Sequence, residues 1–145
     1  MAVEAICLAA GAAHVYTLEY AKLVTDHPRV HTMTPTEFLR ARLEGVLPRF
    51  DAVVTVSSVE HSGLGRYSDG LNPWGDILAV ARAWCVSAAH ARLIIAVPTV
   101  TDMVGREARD AGAPAQTTDV LGFNLGRTYG AIRYPFLTTN WVRCQ

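Results

Sequence analysis

The stretch Ala52-Val53-Val54-Thr55-Val56-Ser57-Ser58-Val59-Glu60-His61-Ser62-Gly63-Leu64-Gly65-Arg66-Tyr67-Ser68-Asp69-Gly70-Leu71-Asn72-Pro73-Trp74-Gly75-Asp76 passes from an apolar strand through a long polar loop into a helix. Ala52 to Val56 is almost continuously apolar, the pattern of a strand covered on both faces, as in a parallel sheet. Asn72 is suited to cap the next helix and Pro73 to take its first position. Between them lie Glu60, His61, Arg66, Tyr67 and Asp69, with glycines at 63, 65 and 70. Ordinary strand-to-helix loops run ~2–6 residues, and this one is far longer. Ligands of open α/β sheets bind beyond the carboxyl ends of the strands, so this loop is the candidate functional element. The alternative is a plain surface loop whose glycines make turns and whose charges are solvated.

On the N-terminal side, Ala2 to Ala10 places Val3, Ile6, Cys7 and Ala10 at helical spacing, and Gly11 supplies the stop. His14 to Leu18 reads as a strand with Glu19 at its end, and Arg29 to Met33 as a second, brief one. Thr34-Pro35-Thr36-Glu37 is a helix start: Thr34 caps, Pro35 fits the first position, and Glu37 completes the capping box. Phe38, Leu39, Leu43, Val46 and Leu47 are expected to form the buried stripe of that helix, with Pro48 after its end.

On the C-terminal side, Ile77, Val80, Ala81, Trp84 and Cys85 share one helix face. Trp74 and Trp84 are expected in the core, and Cys85 as a buried small hydrophobe. Arg92 to Val97 is another buried strand ended by Pro98. Thr101 to Ala111 reads as a short helix and Gly112-Ala113-Pro114 as a break. Leu121 to Gln145 reads as one hairpin or two short strands. Strands alternating with helices predict an α/β fold, a mostly parallel sheet with helices on both faces.

The 145 residues suffice for one domain and are too few for two comfortable ones, so 1–145 is read as a single domain. Thirteen basic and thirteen acidic side chains cancel, and without a basic stripe the chain lacks the footprint of a nucleic-acid binder. No apolar run approaches the ~20 residues of a membrane helix, so no membrane partner is expected. No Lys or Arg precedes Lys22, which does not suit a signal peptide. Cys7, Cys85 and Cys144 are odd in number and widely spaced. They fit the reduced thiols of a cytoplasmic protein better than a disulfide frame or a zinc site, and no metal site is expected.

These segments carry a resemblance. Gly11-Ala12-Ala13-His14-Val15-Tyr16-Thr17-Leu18-Glu19 is similar to the second strand of class I S-adenosylmethionine-dependent methyltransferases, and Phe50-Asp51 through Glu60-His61 resembles their fourth. More narrowly, Val59 to Asp76 resembles the signature of an uncharacterised, methyltransferase-like domain family described from Caenorhabditis proteins, whose function is unassigned. The similarity runs from residue 2 to about Trp141, with Phe123-Asn124, Arg127, Tyr129-Gly130 and Asn140-Trp141 matching its tail.

The resemblance implies a Rossmann-like fold, S-adenosylmethionine as cofactor, and methyl transfer to a small-molecule or protein acceptor. It implies that Glu19, Ser57 and Ser58 hold the cofactor. A carboxylate at a strand's carboxyl end can accept both ribose hydroxyls of an adenosyl ligand, and would serve NAD equally. His61, with Asp69, is the candidate for proton transfer; a metal-ligand role and a loop-ordering hydrogen bond are its alternatives. In extended backbone the adjacent Glu60 and His61 side chains point apart. Arg66, Tyr67, Arg127 and Tyr129 are candidates to contact the acceptor, and fixing the tail against the sheet is the alternative for Arg127 and Tyr129.

The family pattern opens with a first strand and a glycine turn that cradles the methionine part of the cofactor, whereas this sequence opens inside the helix that follows. An N-terminally truncated domain without its central strand is therefore expected, and its open strand edges would invite self-association. The competing expectation is a non-catalytic Rossmann-like remnant that binds a small ligand or a protein partner.

Overall fold

The computed structural model describes residues 2–99 and 119–141. The chain is mixed α/β and divides into two units, Met1–Pro48 and Arg49–Gln145. The described strands pair in three two-stranded sheets, two parallel and one antiparallel.

In the first unit, helix α1 (Ala2–Ala9) ends as its sequence suggests. Gly11 N–H donates to the Leu8 carbonyl at 3.1 Å and Ala12 N–H to that of Cys7 at 3.0 Å, satisfying carbonyls the helix end would leave bare. Strands β1 (Val15–Leu18) and β2 (Val30–Met33) run parallel, with Val15 opposite Val30 and Leu18 opposite Met33. Glu19 N–H donates to Met33 O at 3.1 Å, so Glu19 closes the carboxyl end of β1.

Helix α2 (Pro35–Leu43) starts with the full capping box. Thr34 Oγ1 accepts from Glu37 N–H at 3.3 Å, and the Glu37 carboxylate accepts from Thr34 N–H at 2.8 Å. Its expected buried stripe is not buried: Leu39, Leu43 and Val46 are 56, 78 and 69% exposed, and Ala41 is the buried residue of the helix. The capping box fixes where a helix begins, whereas burial needs a partner surface, and two four-residue strands offer a narrow one.

In the second unit, β3 (Phe50–Val56) and β4 (Ser87–Ala96) are parallel, joined through helix α3 (Gly75–Val86). Ala52 pairs with Arg92 and Val56 with Ala96, after a register irregularity beyond Phe50. Val56 is 50% exposed, so β3 is not covered on both faces as its apolar run suggested. Strand β4 begins five residues before Arg92, directly at the end of α3, where Ser87 Oγ donates to Ala83 O at 2.8 Å. Ser87 pairs with Phe50, and residues 88–91 span the irregularity before Ala52 pairs with Arg92.

Helix α3 also begins later than its sequence suggests. Asn72 is not the cap but builds the turn before it: Oδ1 accepts from Trp74 N–H and its carbonyl from Gly75 N–H, each at 2.9 Å. The buried side chains of α3 are Asp76, Val80 and Val86. Cys85 lies about 140° around the helix from Val80, at ~100° per residue, and is exposed. Trp74 and Trp84 are 61 and 49% exposed, so neither is core.

The tail forms a hairpin of β5 (Val120–Gly122) and β6 (Gly126–Thr128), as one of the two expected forms. A short helix α4 (Arg133–Leu137) follows, where the sequence was read as hairpin or strand. Pro135 sits in its first turn, where a missing N–H costs nothing. Val59, Val80, Tyr129 and Leu137 make the core of this unit, with Leu93, Ile95 and Val97 packed against it. The helix read at 101–111 and the break at 112–114 lie outside the described residues. Among the described residues no helix is long and apolar enough to cross a membrane.

Candidate functional site

The loop after β3 is wound around one buried side chain. Arg127, on β6, is 2% exposed. Its Nη1 donates to the carbonyls of Glu60 (3.2 Å) and Ser62 (2.7 Å), and its Nη2 to those of Asn72 (3.5 Å) and Pro73 (3.3 Å). Both ends of the loop are thus tied to the same guanidinium, whose planar fork suits several acceptors at once. The ends cross where Gly63, at φ 78°, meets Gly75. A methyl group on Gly75 would lie 2.6 Å from Ser62 O and 2.8 Å from Gly63 Cα, so only glycine permits this approach.

Beneath the crossing lies a charged cluster. Asp76, in the first turn of α3, is 0% exposed. Arg133 grips it bidentately, Nε to Oδ2 at 2.8 Å and Nη2 to Oδ1 at 2.6 Å, while Tyr129 Oη donates to Oδ2 at 2.9 Å. Burial is the largest influence on the Asp76 carboxyl and pushes its pKa up. The Arg133 hydrogen bonds, the Arg127 charge and the Tyr129 hydroxyl together outweigh it and hold the group below the ordinary carboxylate range. Burial pushes the Tyr129 phenol up, and the Asp76 charge adds to this, so it stays a neutral donor. Arg133 is shifted up by its hydrogen bonds to Asp76. Burial pulls Arg127 down, with Asp76 opposing.

At the exit of β3, Ser57 takes a positive φ of 46° and turns the chain into a short 3-10 turn, Val59–His61. Ser57 Oγ donates to Glu60 Oε1 at 2.7 Å. Glu60 is 1% exposed, and its Oε2 has no hydrogen-bond partner among the described residues. His61 Nε2 lies 3.6 Å from Glu60 Oε1. Extended backbone would have sent these neighbours apart; the 3-10 turn brings them together. The other ring nitrogen, Nδ1, donates to the Leu125 carbonyl. That bond leaves Nε2 as the nitrogen that can exchange a proton.

The remaining loop candidates have the following surroundings. Asp69 Oδ2 accepts from Gly63 N–H and Oδ1 from Tyr67 N–H, which orders the loop. Arg66 Nη1 donates to Leu125 O at 2.8 Å, and its guanidinium lies 5.6 Å over the Tyr67 ring. Tyr67 meets the His61 ring edge-on at 5.7 Å. Ser58 is exposed and makes no capping bond to the turn that it precedes. In the first unit, Glu19 is exposed, and its Oε1 accepts from Tyr20 N–H at 2.8 Å. Such a strand-end carboxylate fits the requirement of a ribose diol for an acceptor.

The structure brings together Ser57, Glu60 and His61 on one side of the loop and Arg127, Tyr129 and Asp76 beneath it. Sequence reasoning missed Asp76 and Arg133, which pair across 57 residues. It also missed Asp119, which accepts from Gly130 and Arg133 N–H. Asp76 had no local signal, since an acidic residue in a helix's first turn is ordinary. Among the described residues no group of three or more His, Cys, Asp or Glu could hold a metal ion.

No curated protein and no solved structure matches the chain. A protein family does, over residues 1–143, which include the Val59–Asp76 signature and the tail that carries Arg127 and Tyr129. The chain belongs to the family described as Caenorhabditis protein of unknown function, DUF268.

Proposed function

We propose that the chain is a Rossmann-like, methyltransferase-like domain that binds an adenosyl cofactor, S-adenosylmethionine, and presents it to a small-molecule or protein acceptor. The observation that carries this reading is the pairing of its strands. In the doubly wound order 3-2-1-4-5, strands two and three are parallel neighbours, and so are four and five. With α1 taken as a crossover helix, the parallel pairs β1–β2 and β3–β4 are what that order would give. Glu19 stands at the carboxyl end of β1, where this fold places its ribose acceptor.

In this reading Glu19 accepts the ribose hydroxyls. The cofactor, when bound, supplies an electrophilic methyl group. His61 receives the acceptor's proton at Nε2, with Glu60 Oε1 3.6 Å away to stabilise the charge that develops. Arg66 and Tyr67, at the rim of the loop, contact the acceptor. Arg127 and Tyr129 act as positioning residues, because their polar groups already face loop carbonyls and Asp76.

A second reading, ligand binding without turnover, is favoured by those same engagements and by Asp69, whose two oxygens both accept backbone N–H groups. The test is calorimetric titration with S-adenosylhomocysteine. Glu19→Ala should weaken binding at least tenfold, since hydrogen bonds to a charged group are worth roughly 1.5–3 kcal/mol each. His61→Ala should leave binding nearly unchanged and lower methyl transfer by ~10²–10⁴-fold. Binding indifferent to Glu19 would end the cofactor assignment. Intact binding with no transfer to any acceptor would leave the non-catalytic reading.

A further inference from the structure

His14 stands just before β1, and His31 is the second residue of β2. Tyr16 is opposite His31 in the parallel ladder, and residues two apart in a strand share a face. His14, Tyr16 and His31 therefore lie on one face of this two-stranded sheet. His14 Nδ1 is 3.1 Å from His31 Nε2, with the ring centroids 5.2 Å apart, and the Tyr16 ring lies against His31 at 4.5 Å.

Two imidazole nitrogens at this separation hold either a proton or a metal ion between them. Two metal–nitrogen bonds of ~2.0–2.1 Å reach nitrogens 3.1 Å apart at an angle of about 100°. That angle falls between the right angle of tetragonal or octahedral coordination and the wider tetrahedral one, all geometries imidazole ligands adopt. Arg29, two residues before His31, donates from its guanidinium to Ala12 O at 3.4 Å.

We propose that His14 Nδ1 and His31 Nε2 form a two-ligand site for a borderline divalent cation, Zn²⁺, Ni²⁺ or Cu²⁺, with water in the remaining positions. The site fastens the start of β1 to β2. A two-stranded sheet is marginal by itself in water, and an ion bound only by the folded sheet stabilises it by mass action. The inference is independent of the adenosyl-binding reading, because it uses none of the same side chains.

The whole chain is titrated with Zn²⁺ and Ni²⁺ while its melting is followed, and with Cu²⁺ while its paramagnetic resonance spectrum is recorded. The expected result is a saturable rise in Tm at one ion per chain and a copper spectrum split by two nitrogens. His14→Ala and His31→Ala should each weaken binding by roughly tenfold or more, since losing even a partner of a ligand costs that much. His90→Ala, a histidine of the second unit, should bind as the parent does. Far-UV circular dichroism checks that the variants are folded. All three variants retain Cys7 and Cys85, so binding through thiols would persist in them. Equal binding in the parent and in both His14→Ala and His31→Ala overturns the proposal, as does a copper spectrum without two nitrogens. A Tm indifferent to all three ions would reduce the pair to an N–H···N hydrogen bond.

Discussion

Arg127 Nε lies 3.6 Å from Asp76 Oδ2, and neither side chain has any exposed surface. Removing one partner of a buried ion pair leaves an uncompensated charge, which is far costlier than the pair is stabilising. Asp76 here answers two guanidiniums, those of Arg127 and Arg133. Asp76→Asn should therefore destabilise the chain by ~3–5 kcal/mol in urea unfolding. Tyr129→Phe removes one hydrogen bond to the carboxylate and should cost ~1.5–3 kcal/mol. A loss below about 1 kcal/mol for Asp76→Asn would mean that the cluster is open to solvent.

Two of the depressed carboxyls, Asp76 and Glu37, show the sign of the acid limb of the stability curve. A folded-state pKa below the unfolded one means stability that is present above the unfolded value and lost as the pH falls through the folded value. For Asp76 that loss begins below the ordinary 3.8. Glu37 is held at about 2, against an ordinary 4.5, first by Thr34 N–H and then by the Lys22 and Thr34 side chains. Carboxyl carbon shifts should show Glu37 titrating near 2, and its midpoint should rise in Thr34→Ala, which loosens the capping box. In Asp76→Asn the acid dependence of unfolding should be shallower than in the parent.

Substitutions at two glycines should separate close approach from mere turn chemistry. Gly75→Ala drives a methyl group into Ser62 O and Gly63 Cα, both backbone atoms that cannot swing aside. It should cost ~1–3 kcal/mol, the usual toll of overpacking, and should loosen the Arg127 carbonyl cradle. Gly70 has open space where a methyl group would go, so Gly70→Ala should change stability by no more than ~0.5 kcal/mol. Equal effects from the two would disprove the crossing.

Open strand edges should show in solution. Each described sheet has two strands, and Val24, Leu43 and Val46 are 87, 78 and 69% exposed. Unpaired edges beside apolar surface favour association between chains. Sedimentation velocity should show oligomers whose fraction grows with concentration. A single monomeric species across a hundredfold range of concentration, melting cooperatively, would contradict this.

The parts of the structure that were legible in the sequence are those fixed by neighbours in the chain. The Thr34–Glu37 capping box, the Gly11 stop and the strands ending at Glu19 and Ser57 are settled by residues within four or five positions. What was not legible depends on distant partners. Asp76 finds Arg133 from the far end of the unit, and Arg127 reaches loop carbonyls more than fifty residues away. The turn at Ser57, with its positive φ, brings Glu60 onto His61, whereas alternation alone sends them apart. Helical spacing marked Trp84 and Cys85 as one face with Val80, but the core took Val80 together with Asp76 and left Trp84 and Cys85 exposed. Helix α4 falls in a tail read as hairpin or strand, and its Pro135 is harmless only because it sits in a first turn.

The most direct test of the adenosyl-binding account is the amide of Tyr20, whose N–H donates to Glu19 Oε1 at 2.8 Å. If Glu19 takes the ribose hydroxyls, its carboxylate must rebond, and that amide must sense it. In a nitrogen–proton correlation spectrum of the whole chain, saturating S-adenosylhomocysteine should shift the Tyr20 amide strongly, and the shift should vanish in Glu19→Ala. A Tyr20 amide unmoved at saturation, or one that moves equally in Glu19→Ala, would contradict the account.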